Sequence, residues 1–386
     1  MILKTTRLLK RRRALILGLT LAVMVTGIKV RPVLSQEQNY RFFQIYELPV
    51  LMLWGSPAEC GEIHGKLFRL EIQRLIHQVM EKKFLGPRPQ ELRAEMRGYL
   101  QGGLARLPAN IVSELQGLAQ GAGVSLEDIY LLNFFAEAIL FPACSSLGVE
   151  GSRTTDGHVL VAHNLDWPYL QGTPVLLLAY RTSGSIPYVA LTLPGIPFPT
   201  LGINQAGLYV TLNTSFSIEP VPANGQFIFP RLRQALAEAE HLSRAQRLIT
   251  QWPRFHGWNV ILASASERRL LLVELGLQHR SSRRPQYGLL ITTNHLLSPA
   301  LRPIAQPPDP GSLQRYYRIL HLAGAKSKLS VADLEDILLD PQVWEETVYS
   351  AVCDLNTLRL SVCPSHSRTY IPVDIKKILH SFPRRQ

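Results

Sequence analysis

The chain has no apolar run of membrane-spanning length, no repeat of fixed period, no low-complexity tract and no acidic residue before Glu37. Each absence removes a class of explanation. The apolar stretch near the start, Ala14–Ile28, is shorter than the roughly 18–20 residues of a spanning helix, and Thr20 and Thr26 interrupt it. Without a repeat, solenoids and propellers are excluded. Without a Gly-, Ser- or charge-rich linker nothing divides the chain, so residues 36–386 read as one domain. Cysteine is scarce: Cys60, Cys144, Cys353 and Cys363 in 386 residues. None is spaced CxxC, and the 11 histidines form no HExxH or HxH array, so the pattern calls for no metal and no cofactor. Cys353 and Cys363 bracket the turn Asp354–Thr357 in a register that does not oppose them, and no structural disulfide is expected.

The missing acids make the charge misleading. A formal +12 suggests a polyanionic partner, yet Lys4, Arg7, Lys10, Arg11, Arg12, Arg13, Lys29 and Arg31 all precede Gln36. The other 33 Lys and Arg stand against 29 acids and leave +4, which is ordinary for a soluble domain. No nucleic-acid partner is expected. A basic segment to Arg13, the apolar run and a polar segment form the three parts of an export signal. Cleavage is expected after Ser35, with an uncleaved anchor as the alternative. The bulk of the chain is then exported, periplasmic or secreted, and meets a membrane only through an uncleaved N-terminal segment.

What is present is a globular mixture, 46% apolar and 18% charged, large enough to bury a substantial core. After a strand over Tyr46–Leu53, helical spacing covers Ala58–Phe84, Leu92–Leu107 and Pro108–Gln120. Ser125-x-x-Asp128 opens another helix, which Pro142 ends. Strands follow. Asp156-Gly157 reads as a hairpin turn between Ser145–Glu150 and His158–Asn164. Further strands cover Val175–Tyr180, Tyr188–Leu193, Leu201–Ile203, Leu208–Leu212, Val260–Ser264, Leu270–Leu275 and Leu289–Thr293. Helices return over Pro230–Ala239, after the capping box Ser243-x-x-Gln246, over Ser312–Ala323 and after Ser330-x-x-Asp333, and a hairpin spans Val348–Val362. Strand pairs interleaved with helix pairs predict helices covering two stacked, mainly antiparallel sheets, an α+β protein.

Cys144 stands where helix gives way to strand, after Pro142-Ala143. A free thiol titrating near 8.5 needs activation. An α-amino group titrates near 7.7–8.0 and can serve as base toward its own side chain. A cysteine at a chain terminus therefore carries nucleophile and base together, and one cut between Ala143 and Cys144 would create it. Asp166, at the end of the second strand, can orient the new amine. Asn213 and Asn294, each at a strand end, can donate to an oxyanion. Taken one at a time these residues read as core cysteine, turn formers and loop-entry asparagines. Their joint order carries the case. His163 and Trp167, with Tyr169, Phe198 and Phe216, are candidates to line a substrate pocket.

That order resembles the isopenicillin N acyltransferase family of N-terminal-nucleophile hydrolases, also called acyl-coenzyme A:6-aminopenicillanic acid acyltransferases. The likeness runs from Cys60-Gly61-Glu62-Ile63-His64-Gly65 through Glu114–Val124, Leu132-Asn133 and Cys144 to Asn164-Leu165-Asp166-Trp167. It continues through Gly202–Leu208 with Asn213, Thr293-Asn294-His295, Ser312-x-x-Arg315 and Thr347-Val348-Tyr349-Ser350. It implies a four-layer αββα sandwich of two antiparallel sheets, made as a zymogen and self-cleaved into 36–143 and 144–386. It also implies a Cys144 nucleophile, an amine-orienting Asp166, an oxyanion Asn294, a second asparagine at Asn213, and Arg315 near the thiol with Arg318 as its substitute. Bile-salt and penicillin V hydrolases of related type keep an arginine where this chain has His163, which leaves activation to Asp166 and Arg315.

The expected activity is that of an exported cysteine amidohydrolase or acyltransferase. It would act on a small-molecule acylated amide through an acyl-thioester on Cys144, with water, an amine or a thioester as co-substrate. A lipid-amide or phospholipase-like hydrolase of the same fold, or an uncleaved binding protein, are the alternatives.

Overall fold

In the computed structural model residues 39–78, 89–137, 143–167, 170–344 and 346–383 are described. The export segment, Pro142 and Tyr169 lie outside the described residues. The described strands form two stacked sheets. One holds β1 (Tyr40–Ile45), β2 (Leu48–Leu53), β5 (Leu176–Tyr180), β6 (Tyr188–Thr192), β7 (Leu201–Asn204), β8 (Leu208–Ser215), β9 (Gly257–Ser264), β10 (Arg269–Leu275) and β11 (Arg280–Arg283), in that order. The other runs β12 (Leu289–Thr292), β3 (Ala143–Val149), β4 (Leu160–Asp166), β13 (Thr347–Asp354), β14 (Arg359–Pro364) and β15 (Ile371–Asp374). Every pairing between these strands is antiparallel except β2 with β5.

The six-stranded sheet is buried on both faces, and its residues alternate between two cores. Leu147, Val149, Leu160, Ala162, Ile291 and Val352 pack with Ile319, Ala323, Leu334, Ile337 and Leu338. Those partners lie on helices α8 (Pro310–Gly324) and α9 (Val331–Leu339). Cys144, Val161, Leu165, Ala351 and Cys353 face the other way, toward the nine-stranded sheet. The two-residue period of a strand dictates this split.

Helices α1 (Pro57–Leu67), α2 (Arg69–Leu75), α3 (Pro89–Leu104), α4 (Ala109–Ala122), α5 (Leu126–Phe134), α6 (Ile228–Glu238) and α7 (Leu242–Thr250) belong to the layer on the nine-stranded sheet. A last helix, α10, covers Ile375–His380. The architecture is an αββα sandwich. Within its first layer α1 and α4 touch backbone to backbone. A Cβ at Gly61 would lie 1.9 Å from the Glu114 carbonyl, and one at Gly117 would lie 2.1 Å from that of Ala58.

Several expectations need correction. The helix expected over Ala58–Phe84 breaks at Phe68, whose φ of −115° and ψ of 27° separate α1 from α2, and its residues after 78 lie outside the described part. Tyr46–Leu53 is the second arm of a hairpin, with Tyr46 in its turn at φ 52°. Asp156-Gly157 is not a two-residue turn. Thr155 N–H and Leu329 N–H tie residues 153–155 to residue 329, so the β3–β4 connection runs from residue 150 to 159. Ser243 does not cap: α7 begins at Leu242, with His241 at its N-cap and no side-chain cap bond. Ser125 and Ser330 do cap their helices.

Candidate active site

β3 and β4 pair so that Ala143 opposes Asp166, Cys144 opposes Leu165 and Ser146 opposes His163. The Ala143–Cys144 peptide therefore lies beside Asp166, as expected from neighbouring strands. The backbone at Cys144 is held at both ends. Its N–H donates to Asn294 Oδ1 at 2.9 Å, and its carbonyl accepts from Arg315 Nη1 at 2.7 Å. Arg315 also donates to Ser145 Oγ and Asn294 Oδ1, both at 3.0 Å. Its Nη1 stands 3.7 Å from Asp166 Oδ2. Two donors converging on one atom of Asn294 fix that atom as the carbonyl oxygen. Its amide nitrogen then donates to Thr214 O at 3.1 Å and Thr214 Oγ1 at 3.0 Å.

Strand parity sorts the side chains. Cys144 and Ser146 project between the sheets. Ser145 and Asp166 project toward α8, where Arg315 meets them. Asp166 is fully buried and receives Thr347 Oγ1 at 2.5 Å. β13 shifts register between Thr347 and Tyr349, opposite Asp166 and Leu165; such a bulge re-aims a side chain.

Burial pushes the Cys144 thiol up to about 12, and the Asp166 charge adds to the rise. Arg315 and the backbone N–H groups of Asp166 and Thr214 act the other way without cancelling it. Burial holds His163 down to about 3, so its imidazole is neutral. Ser146 Oγ donates its one proton to Asn213 Oδ1 at 2.7 Å. The 3.0 Å contact from His163 Nδ1 to Ser146 Oγ must then carry the imidazole proton. Asn213 itself donates to Thr292 O at 3.1 Å. It reaches Ser146 rather than Cys144 and supports the strand that leads to Asn294.

Of the residues singled out, Cys144, Asp166, Asn294 and Arg315 come together, with Asn213 and His163 one step away. Arg318 does not join them, since its guanidinium grips Asp340 at 3.0 and 2.6 Å. Trp167 packs on Phe135 at 4.7 Å beside this end of β4. Phe198 belongs to the aromatic cluster of Phe134 and Phe229 under the helices, and Phe216 packs on His256. Sequence reasoning missed Thr214 and Asn259 as partners, and quoted Ser312 in a motif without giving it a role. Ser312 Oγ accepts Asn294 N–H at 2.9 Å, and Asn259 Nδ2 donates to the carbonyls of Thr293 and His295. Their side-chain types carry no signal before the fold is known. Cavities of about 720, 330 and 260 Å³ open elsewhere, and Cys144 lines none of these three.

Among the described residues Asp156, His158 and Asp354 are the group close enough for a cation, with ligand atoms within 4.8 Å of one another. His158 Nδ1 contacts the two carboxylates directly, at 3.2 and 2.9 Å. All four cysteines are free; Cys353 opposes Leu360 and Cys363 opposes Ser350.

The profile of the acyl-coenzyme A:6-aminopenicillanic acid acyl-transferase family matches residues 152–368, more than half of the chain. The chain belongs to that family. Membership makes it an enzyme of the acyl-hydrolysing and acyl-transferring kind with the N-terminal-nucleophile hydrolase fold. No curated protein matches the sequence. Solved structures that resemble it include a Caenorhabditis elegans N-acylethanolamine-hydrolyzing acid amidase ortholog, 15% identical with a TM-score of 0.43 over 55% of this chain and 93% of that one. A mutant of conjugated bile acid hydrolase from Clostridium perfringens is 13% identical with a TM-score of 0.44, over 61% and 93%. Penicillin V acylase from Agrobacterium tumefaciens is 15% identical with a TM-score of 0.44, over 61% and 87%.

Proposed function

We propose that the chain is an exported, self-processing amidohydrolase or acyltransferase that acts on non-peptide amides through an acyl-thioester on Cys144. One observation carries the reading. The backbone of Cys144, on the C-terminal side of the bond to be cut, is clamped at both ends, by Asn294 on its N–H and Arg315 on its own carbonyl, with Asp166 opposite Ala143. In processing, the thiol adds to the Ala143 carbonyl and the bond from that carbon to the Cys144 nitrogen breaks. The thiol proton passes to the departing amine. Water then hydrolyses the thioester, leaving a carboxylate on Ala143 and a free thiol on Cys144.

The released amine stays within reach of Asn294 Oδ1, and Asp166 orients it. In turnover this amine takes the thiol proton, the thiolate attacks the substrate carbonyl, and the proton passes to the leaving amine. Water or a second amine accepts the acyl group. Arg315, already 3.7 Å from Asp166, keeps a positive charge beside the site that His163 does not supply. Asn294 is the oxyanion donor in this reading, and to serve an oxyanion its amide must give up a bond it makes to Thr214 O or Thr214 Oγ1.

One observation favours a second reading, an uncleaved binding protein: Cys144 is 2% exposed and its thiol pKa is pushed up to about 12. Mass spectrometry of the purified protein separates the two. Fragments meeting at Ala143/Cys144, lost in Cys144→Ala, support the enzyme. A persistent single chain that resists thiol reagents overturns it.

A further inference from the structure

A cleft of about 330 Å³ opens where the edges of the two sheets meet, between β11, β12 and α8. Of the eleven residues lining it three are arginines, Arg153, Arg283 and Arg284, and none is acidic. The rest of its wall is largely apolar, from Leu289, Leu290 and Ile291 on β12 to Tyr316 and Leu320 on α8. Tyr287, 97% exposed with φ at 50°, stands at its rim.

Two of the arginines are incompletely satisfied, and the third, Arg284, is near enough to the Glu150 carboxylate to oppose the rise that burial gives its pKa. Arg153 donates to the carbonyls of Ser327 and Ala323, which are neutral acceptors, so its charge has no carboxylate there. Arg283 Nε donates to Glu274 Oε2 at 3.0 Å, but that carboxylate also serves the N–H groups of Leu297 and Ser298. Arg153 Nε and Arg283 Nη2 are enclosed with no hydrogen-bond acceptor in the protein. Enclosed guanidinium N–H groups without acceptors are costly, and they mark a place where an acceptor is wanted. Leu320 and Tyr287 remain exposed where a chain would cover them.

We propose that this cleft binds an amphiphilic carboxylate, its head on the arginines and its alkyl or aryl chain along Leu289–Ile291 and Leu320. A volume of about 330 Å³ suits a medium-length chain and lies at the small end of ligand sites, roughly 300–1,000 Å³. The site is separate from Cys144, so it stands or falls independently of the nucleophile.

The test uses the full chain carrying Cys144→Ala, in which no thioester can form. Octanoate below its micelle-forming concentration, 1-octanol and acetate are titrated calorimetrically. Octanoate should bind at one site, and the two partial analogues at least about tenfold more weakly, because each lacks half of the recognition. Arg284→Gln and Leu320→Asn, both at exposed positions, should each weaken octanoate about tenfold with an unchanged circular-dichroism spectrum. Octanol binding as tightly as octanoate, or both variants binding as wild type, would overturn the proposal. So would retention on phosphatidylglycerol vesicles without any binding of free octanoate, which would make the patch a membrane surface.

Discussion

Replacing Thr347 with valine isolates one hydroxyl. Valine keeps the β-branched shape that suits β13, and Thr347 is fully buried, so packing changes little. What is lost is the 2.5 Å bond from Oγ1 to Asp166 Oδ1. A hydrogen bond to a charged group is worth about 1.5–3 kcal/mol. Unfolding entropy of about 2.1 cal/mol/K per residue over roughly 350 residues gives about 0.7 kcal/mol/K, so the melting temperature should fall by about 2–4 °C. If Asp166 orients the nascent amine, the same loss should slow self-cleavage about tenfold or more, since about 1.4 kcal/mol is a factor of ten. Cleavage is followed by mass spectrometry after synthesis in a cell-free system. Thr347→Ser restores the donor at the cost of a methyl cavity and should recover the cleavage rate but not the full stability. Wild-type cleavage in Thr347→Val, or failure of Thr347→Ser to recover it, would refute the assignment of this hydroxyl to Asp166.

Glu137 offers a pH test. Burial raises its carboxyl from 4.5 to about 8, so the folded chain holds a proton that the unfolded chain has released. Its contribution is therefore full below about pH 4.5 and is lost as pH rises toward about 8, by about 5 kcal/mol at most. The difference in melting temperature between wild type and Glu137→Gln should shift in that sense between pH 5 and 8.5; a constant difference would count against it. Gly117→Ala should destabilise strongly, because its Cβ meets the Ala58 carbonyl at 2.1 Å. Gly98→Ala, with nothing within 4 Å, should stabilise α3 by about 0.5–1 kcal/mol. Denaturant titration of both variants checks the contrast. Arg315→Lys should stop processing, because one ammonium cannot hold the Cys144 carbonyl, Ser145 and Asn294 together. Arg318→Lys should leave processing as in wild type.

Most of the fold was legible because its strands are strongly apolar runs bounded by Gly, Pro and Asx turns, and its helices carry real caps at Ser125 and Ser330. β11, Arg-Ser-Ser-Arg, was not legible: a polar edge strand has neither an apolar run nor a buried face. β1 was missed because it too is an edge strand, with half of its residues exposed. The break at Phe68 was hidden because the apolar spacing continues through it. Among site residues, the four that meet at the scissile peptide were named from strand ends and motif order. What could not be read was which atom each would face. Asn213 looked equivalent to Asn294, and only the sheet-to-sheet contact with Ser146 and Thr292 separates their positions. Arg315 and Arg318 lie three apart on one helix, and only the position of Asp340 divides them.

The placement of Asp166 bears on why a terminal amine, rather than an imidazole, would be the base here. β3 and β4 put the thiol of Cys144 between the sheets and the carboxylate of Asp166 on the opposite face, toward α8. A carboxylate whose purpose was to activate the thiol would be badly chosen, because its charge raises the thiol pKa. What the two faces share is the backbone between them, and the Cys144 nitrogen belongs to it. A negative charge near that nitrogen favours a protonated amine, and Arg315 moderates it from 3.7 Å. The base then has both its acceptor, Asn294 Oδ1, and its counter-charge before it exists. His163 is neutral and its Nδ1 is engaged with Ser146, so it brings no positive charge to the thiol. On this reading His163→Gln, which keeps a donor for Ser146, should leave the pH dependence of turnover unchanged, as measured by initial rates from pH 6 to 9. A shifted profile would return the imidazole to the mechanism and remove the reason for assigning the base to the amine.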